Sequence, residues 1–227
     1  RFVVDGGKLA MKNCVSASYG GAVSAKTINI SGGDIQVDDC TGSSGGALNG
    51  HKGIFQSGGS VQVHGCKAEL LHGGGGLYTS EAVVLSGGSL NISRCSAVKG
   101  GGVCTETGFQ QLGGFLTIDH CTATQAINNE SIAQAGGGIY ANRGGVLHQA
   151  GKMSLYNCTA QQAGGGIYIH NGSFKSSGAL KMEDCDVIEG NGGGIFLQEG
   201  DVELSGPDVA IFSGCSSDRG DGGGLYL

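Results

Sequence analysis

Residues Lys152–Tyr168, KMSLYNCTAQQAGGGIY, hold in one stretch the parts that recur along the whole chain. An alternating apolar run, Met153 and Leu155, leads into Cys158. A small-residue segment follows, then three glycines, then a second alternating start at Ile167. A unit that returns at a fixed period is the mark of a repeat architecture, in which each unit covers the apolar face of its neighbour.

Working outward from Cys158, the series is Cys14, Cys40, Cys66, Cys95, Cys121, Cys158, Cys185 and Cys215, at spacings of 26, 26, 29, 26, 37, 27 and 30 residues. Only Cys104 stands outside it. Five and three residues before each member sits an apolar pair, from Leu9/Met11 through Leu90/Ile92 to Ala210/Phe212. After each comes a glycine run and then an apolar residue: Ala22, Ala47, Leu77, Val103, Ile139, Ile167, Ile195 and Leu225. A third apolar stretch, clearest at Ile28–Ile30 and Val83–Leu85, is followed by a second glycine corner such as Gly32–Gly33 or Gly113–Gly114.

Alternation with a period of two signals a strand with one buried face, and no stretch keeps a helical period. Glycine supplies the corner angles that other residues resist. The expected fold is therefore all-β: a parallel β-helix of three short strands per coil and about eight coils. At about 4.8 Å per coil the stack is about 38 Å long. A sandwich or propeller needs hairpins at a fixed place in the repeat. The Asn-Gly pairs at Asn49–Gly50, Asn171–Gly172 and Asn191–Gly192 hold no such place.

The 227 residues read as a single solenoid domain, and the abrupt start at Phe2–Val3–Val4 suggests a piece of a longer one. Residues 122–135, TATQAINNESIAQA, lengthen one coil and read as an inserted loop with weak helical character from Ile127 to Ala135. The single proline, Pro207, is expected at the corner after Leu204, because inside a stacked strand it would delete a ladder bond. Glycine is far above its usual share, at 48 residues, without the every-third spacing of collagen. A net charge of −6 with 13 scattered basic residues argues against a nucleic-acid partner. No apolar run is long enough to span a bilayer as a helix.

Stacked coils turn each recurring position into a row. The eight cysteines form an inward row with no CxxC pairing, which argues against a metal site. Two states are open to it: an apolar stack of thiols, or disulfides between successive coils, of which only alternate pairs could form. Each such disulfide would close about 26 residues, worth about 3.5 kcal/mol by chain entropy. After the glycines comes a second row, Val23, Leu48, Tyr78, Cys104, Tyr140, Tyr168, Phe196 and Tyr226, which strict alternation points outward. Its aromatic members, Tyr78, Tyr140, Tyr168, Phe196 and Tyr226, are the candidate binding strip for a sugar or a protein, or else stack on one another.

A third set flanks the cysteines on the outside. Asp38 and Asp39 are adjacent, with His64 one coil on; Asp119, His120 and Arg94 share two neighbouring coils. Carboxylates near a basic group are what a polysaccharide lyase or glycosidase would need, so these are the catalytic candidates if the chain is an enzyme. No sign or spacing among them holds across three coils, which favours a solvated strand face. No cofactor motif is present. His51, His72, His148 and His170 occupy inequivalent places. N-x-Ser/Thr triplets occur at Asn29, Asn91, Asn129, Asn157 and Asn171 and matter only in a glycosylating secretory pathway.

The repeats carry a resemblance. GGAV at Gly20–Val23, GGAL at Gly45–Leu48, GGGLY at Gly74–Tyr78 and GGGIY at Gly136–Tyr140 and Gly164–Tyr168, with FSGC at Phe212–Cys215 and LYNC at Leu155–Cys158, resemble the passenger repeats of the chlamydial polymorphic outer membrane proteins. Cysteine here stands where that family has asparagine. The resemblance implies a right-handed β-helix of the pectin-lyase-like kind. It also implies a cell-surface or extracellular passenger with an adhesive role, with a surface protein or glycan as partner and further coils or a membrane anchor in the parent. It transfers no catalytic residue. The expected function is a non-enzymatic, glycan- or protein-binding stalk. The alternative is a polysaccharide lyase or glycoside hydrolase.

Overall fold

The computed structural model describes residues 1–70, 73–124 and 135–227. They form an all-β solenoid of about eight turns, in which every strand pairing is parallel and joins one coil to the next. One coil shows the path. Val103–Thr105 runs in an eight-stranded sheet, Gly108–Gln111 and Phe115–Asp119 in a fourteen-stranded sheet, and Thr122–Ala123 in a seven-stranded sheet. The three expected faces are thus present, with the long sheet taking two segments of each coil. A glycine bend separates those segments in most coils. In Phe2–Lys12 and Ile28–Asp38 the bend is shallow enough for one continuous strand of 11 residues.

Alternation places the interior. Val37, Val63, Ile92, Ile118, Leu155 and Met182 stand in register one above another and are all buried. The companion column of Ile35, Val61, Leu90, Leu116, Met153 and Leu180 is buried beside them. Each such side chain contributes roughly 1.5–3 kcal/mol through apolar burial. A parallel ladder with no hairpins has little else to fix its register.

Two corners decide the cross-section. Immediately before every cysteine of the row, the backbone turns left-handed: Asn13 (φ 53°), Asp39 (51°), Gly65 (63°), Arg94 (53°), His120 (49°), Asn157 (50°), Asp184 (51°) and Gly214 (65°). Asparagine, aspartate and glycine tolerate this region best, and they fill six of the eight places. The second corner is the glycine run, where the eight-stranded sheet presses against the seven-stranded one. A Cβ on Gly101 would lie 2.5 Å from the Thr122 nitrogen, so backbone meets backbone with no room for a side chain.

Buried polar residues close the bend of the long sheet. Gln111 Nε2 donates to the carbonyls of Gly114 at 3.1 Å and Lys152 at 3.0 Å, and Gln56 Nε2 donates to Ser89 O at 2.9 Å. His148 takes the same inward position two coils beyond Leu85, with Nε2 3.3 Å from Gly151 O and Nδ1 2.9 Å from Ser176 Oγ. These side chains give the bend carbonyls a second hydrogen-bond partner, since Gly114 O and Gly151 O also accept from the backbone of Lys152 and Ala179 in the next coil.

The structure bears on three expectations. Pro207 does sit between strands, after Val202–Leu204 and before Ala210–Ser213. At the edges of the expected insertion 122–135, Thr122–Ala123 is a ladder strand and Ala135 is fully buried, while 125–134 lie outside the described residues. The row after the glycines starts one residue later than expected in the first two coils. Val23 and Leu48 pair with inward Leu77, so the row reads Ser24, Asn49, Tyr78. The cause is that Ala22 and Ala47 fill the slot of the third glycine, as their ladder bonds to Ala47 and Gly76 show.

Candidate functional site

The outward face of the long sheet carries an open concavity. Its second segments put Lys12, Asp38, His64, Ser93, Asp119, Tyr156 and Glu183 in one column. Gln36, Gln62, Asn91, Thr117 and Ser154 form a parallel column two residues upstream. Over the first coils the two columns line an open groove of about 570 Å³ whose walls include Lys12, Gln36, Asp38, Gln62, His64, Asn91 and Ser93.

Two of the catalytic candidates, Asp38 and His64, do meet on neighbouring rungs here. Asp38 is already engaged: Lys12 Nζ lies 2.8 Å from Oδ2 and Gln36 Nε2 donates to the same oxygen at 2.8 Å. The Asp38 hydrogen bond and charge hold the Lys12 ammonium above its ordinary pKa. His64 Nδ1 is 3.0 Å from Ser93 Oγ, facing away from Asp38 along the column. Asp39, the third member, is a left-handed corner residue with its carboxylate over Gly65.

The second cluster divides in the same way. Asp119 stands in the column, with His120 Nδ1 at 2.8 Å and Asn157 Nδ2 at 3.3 Å from its Oδ1. His120 and Arg94 are both corner residues, and their backbone angles account for their positions. Ser93 separates this cluster from His64 along the column. Among the described residues no group of three His, Cys, Asp or Glu side chains is placed to hold a metal ion.

The aromatic row corrects an expectation. Tyr140 and Tyr168 point away from the lumen yet are 1% exposed, so they offer no open strip. Their rings stack on each other at 5.3 Å with planes 4° apart, and the stack runs on through Phe196 at 5.1 Å and Tyr226 at 5.2 Å. Ala163 packs against the cluster from the segment before the glycines, and Lys99 lies over the Tyr140 ring at 4.9 Å. Tyr168 gives its hydroxyl hydrogen to Gln198 Oε1 at 2.5 Å. Burial raises both phenols well above their ordinary range. Tyr78, Phe196 and Tyr226 remain half-buried.

All nine cysteines are free thiols, and from Cys40 to Cys185 the inward row is buried. Each thiol of the inward row points to the carbonyl two residues back, as in Cys40 to Asp38 O at 3.3 Å, Cys95 to Ser93 O at 3.3 Å and Cys158 to Tyr156 O at 3.3 Å. At the first coils the sulfur also accepts from the backbone of its neighbour: Cys14 N reaches Cys40 Sγ at 3.3 Å and Cys40 N reaches Cys66 Sγ at 3.4 Å. A small apolar side chain with a weak donor thus fits the inside of the left-handed corner. Burial pushes the Cys40 thiol up to about 12, so it stays protonated at neutral pH.

Sequence reasoning passed over the amide column. Gln36, Gln62 and Asn91 each stand four residues before a cysteine of the row, and that constant offset was the available signal. No family model, curated protein or solved structure matches the chain. Among the described residues no helix is long and apolar enough to cross a membrane.

Proposed function

We propose that this chain is a non-enzymatic solenoid segment of a secreted or cell-surface protein, and that it binds a glycan along the outward face of its long sheet. The observation that carries the reading is the amide column Gln36–Gln62–Asn91, in register on three successive rungs along the open groove. A primary amide offers a donor pair and an acceptor side by side, the complement of vicinal hydroxyls. Repeated at about 4.8 Å along the stack, such groups suit a ligand that is itself a repeating chain. Gln62 and Asn91 are not engaged by any protein hydrogen-bond partner among the described residues, which leaves their amides for a ligand. The passenger-like glycine repeats support the extracellular setting, in which adjoining coils or a membrane anchor of the parent would present this face.

The test is a glycan array probed with the purified chain and with Gln62→Ala/Asn91→Ala. Loss of about ten-fold or more in apparent affinity for a bound glycan supports the reading. Unchanged binding by the double variant, or binding only to proteins, contradicts it.

A second reading, a polysaccharide lyase or glycoside hydrolase of the pectin-lyase-like kind, is favoured by one observation: Asp38 and His64 share the same groove on adjacent rungs. The Lys12 ion pair on Asp38 fits a held carboxylate rather than a free general base. Release of new reducing ends or unsaturated ends from the bound glycan, abolished by Asp38→Asn, would favour this reading over the first.

A further inference from the structure

The aromatic stack of the eight-stranded sheet has one rung missing. Tyr78, Cys104 and Tyr140 are register partners on three successive coils, and only the middle position lacks a ring. Beyond Tyr140 the rings follow one another at 5.1–5.3 Å. Two rungs of a parallel ladder therefore separate Tyr78 from Tyr140 by about 10 Å at the backbone, with the Cys104 thiol as the floor between them.

Lys99 reaches the Tyr140 side of that gap. Its ammonium lies 4.9 Å from the Tyr140 ring centroid and donates to the Tyr140 hydroxyl at 3.5 Å. A second charge stands at the rim. Burial raises the Tyr78 and Tyr140 phenols and the Cys104 thiol, the nearby Glu106 carboxylate adds to each rise, and Asn142 Nδ2 donates to its Oε2 at 2.6 Å. Aromatic faces with a neighbouring carboxylate are the surroundings that stabilise a desolvated organic cation.

We propose that the gap between Tyr78 and Tyr140 over Cys104 is an ammonium clamp, occupied in the free chain by Lys99 and able to take a quaternary ammonium group of the choline type in its place. A cation midway between two rungs sits about 5 Å from each ring position, inside the roughly 6 Å reach of a cation–π contact. A quaternary group has no hydrogen to donate, so it loses no bond on leaving water. Its methyls pack on the tyrosine walls and the thiol floor, while Glu106 supplies the opposite charge. Lys99 competes from within the chain, so the apparent affinity of an outside ligand is lowered by the fraction of time the clamp is filled. The clamp lies on a different sheet from the amide groove, and either site can fail without the other.

The test titrates the whole chain with choline chloride, with sodium chloride at equal ionic strength as the control, and follows tyrosine fluorescence and amide NMR shifts. Lys99→Ala removes the resident guest. Cys104→Phe, added to it, supplies the absent ring and fills the gap while leaving the buried stack continuous. Far-UV circular dichroism checks that each variant is folded. The expected result is saturable choline binding about ten-fold or more tighter in Lys99→Ala than in the unaltered chain. It should be lost in Lys99→Ala/Cys104→Phe, with shifts centred on Tyr78, Cys104 and Tyr140. A response to choline no greater than that to sodium chloride in Lys99→Ala overturns the proposal. So does equal affinity with and without Lys99, or retained binding in a folded Lys99→Ala/Cys104→Phe.

Discussion

Asp39 lays its carboxylate over Gly65, the residue that occupies the same left-handed corner one coil further on. Asp184 repeats the arrangement over Gly214. An acidic residue that looks like a catalytic candidate in the sequence is thus a corner residue, and the glycine beside it leaves the space for its side chain. Gly65→Ala would place a Cβ against Asp39 Oδ1 at a positive φ. The expected loss is about 1–2 kcal/mol in urea unfolding. A midpoint equal to that of the unaltered chain would show that the corner is not tightly held.

His148 gives the stack a dependence on acid. Burial lowers its pKa below the ordinary 6.5, against the opposing pull of the Gly151 carbonyl and of Asp208. The folded chain therefore holds the imidazole neutral where the unfolded chain takes up a proton. The stabilisation is present above about pH 6.5 and is lost as pH falls below it. The melting temperature should drop as pH is lowered from about 7 to about 5, and His148→Gln, which copies Gln111, should flatten that part of the profile. An equal slope in the variant would assign the acid sensitivity to other groups.

The cysteine row makes a separate prediction about reactivity. Cys40, Cys66, Cys95, Cys104, Cys121, Cys158 and Cys185 are buried, whereas Cys14 and Cys215 are partly exposed. An aromatic disulfide reagent added to the reduced native chain should modify the two outer thiols first, and the seven buried ones only on the time scale of unfolding. Rapid reaction of all nine in native buffer would mean that the coils open far more readily than this packing implies.

Much of this architecture is legible in the sequence alone. Apolar pairs at fixed offsets from Cys14 to Cys215 define the inward columns, because alternation and a constant coil length leave one way to stack them. Two things were not legible. Alternation correctly turned Tyr140 and Tyr168 away from the lumen, yet their burial depends on Ala163 and Lys99, which arrive from a segment with no period of its own. At the corner before each cysteine, Asp39, Arg94 and His120 present charge and chemistry in the sequence, whereas the property they hold in common is a backbone angle. The recurrence of Asn, Asp and Gly at that one position carried the signal.

The groove, the aromatic stack and the ammonium clamp all depend on residues roughly one coil apart touching in parallel register. A methyl-labelled NOE experiment tests this directly. Parallel stacking predicts cross-peaks linking Val63 to Ile92, Ile92 to Ile118 and Ile118 to Leu155 in sequence along one inward column. Absence of those cross-peaks, or contacts running in the opposite order along the paired segments, would contradict it.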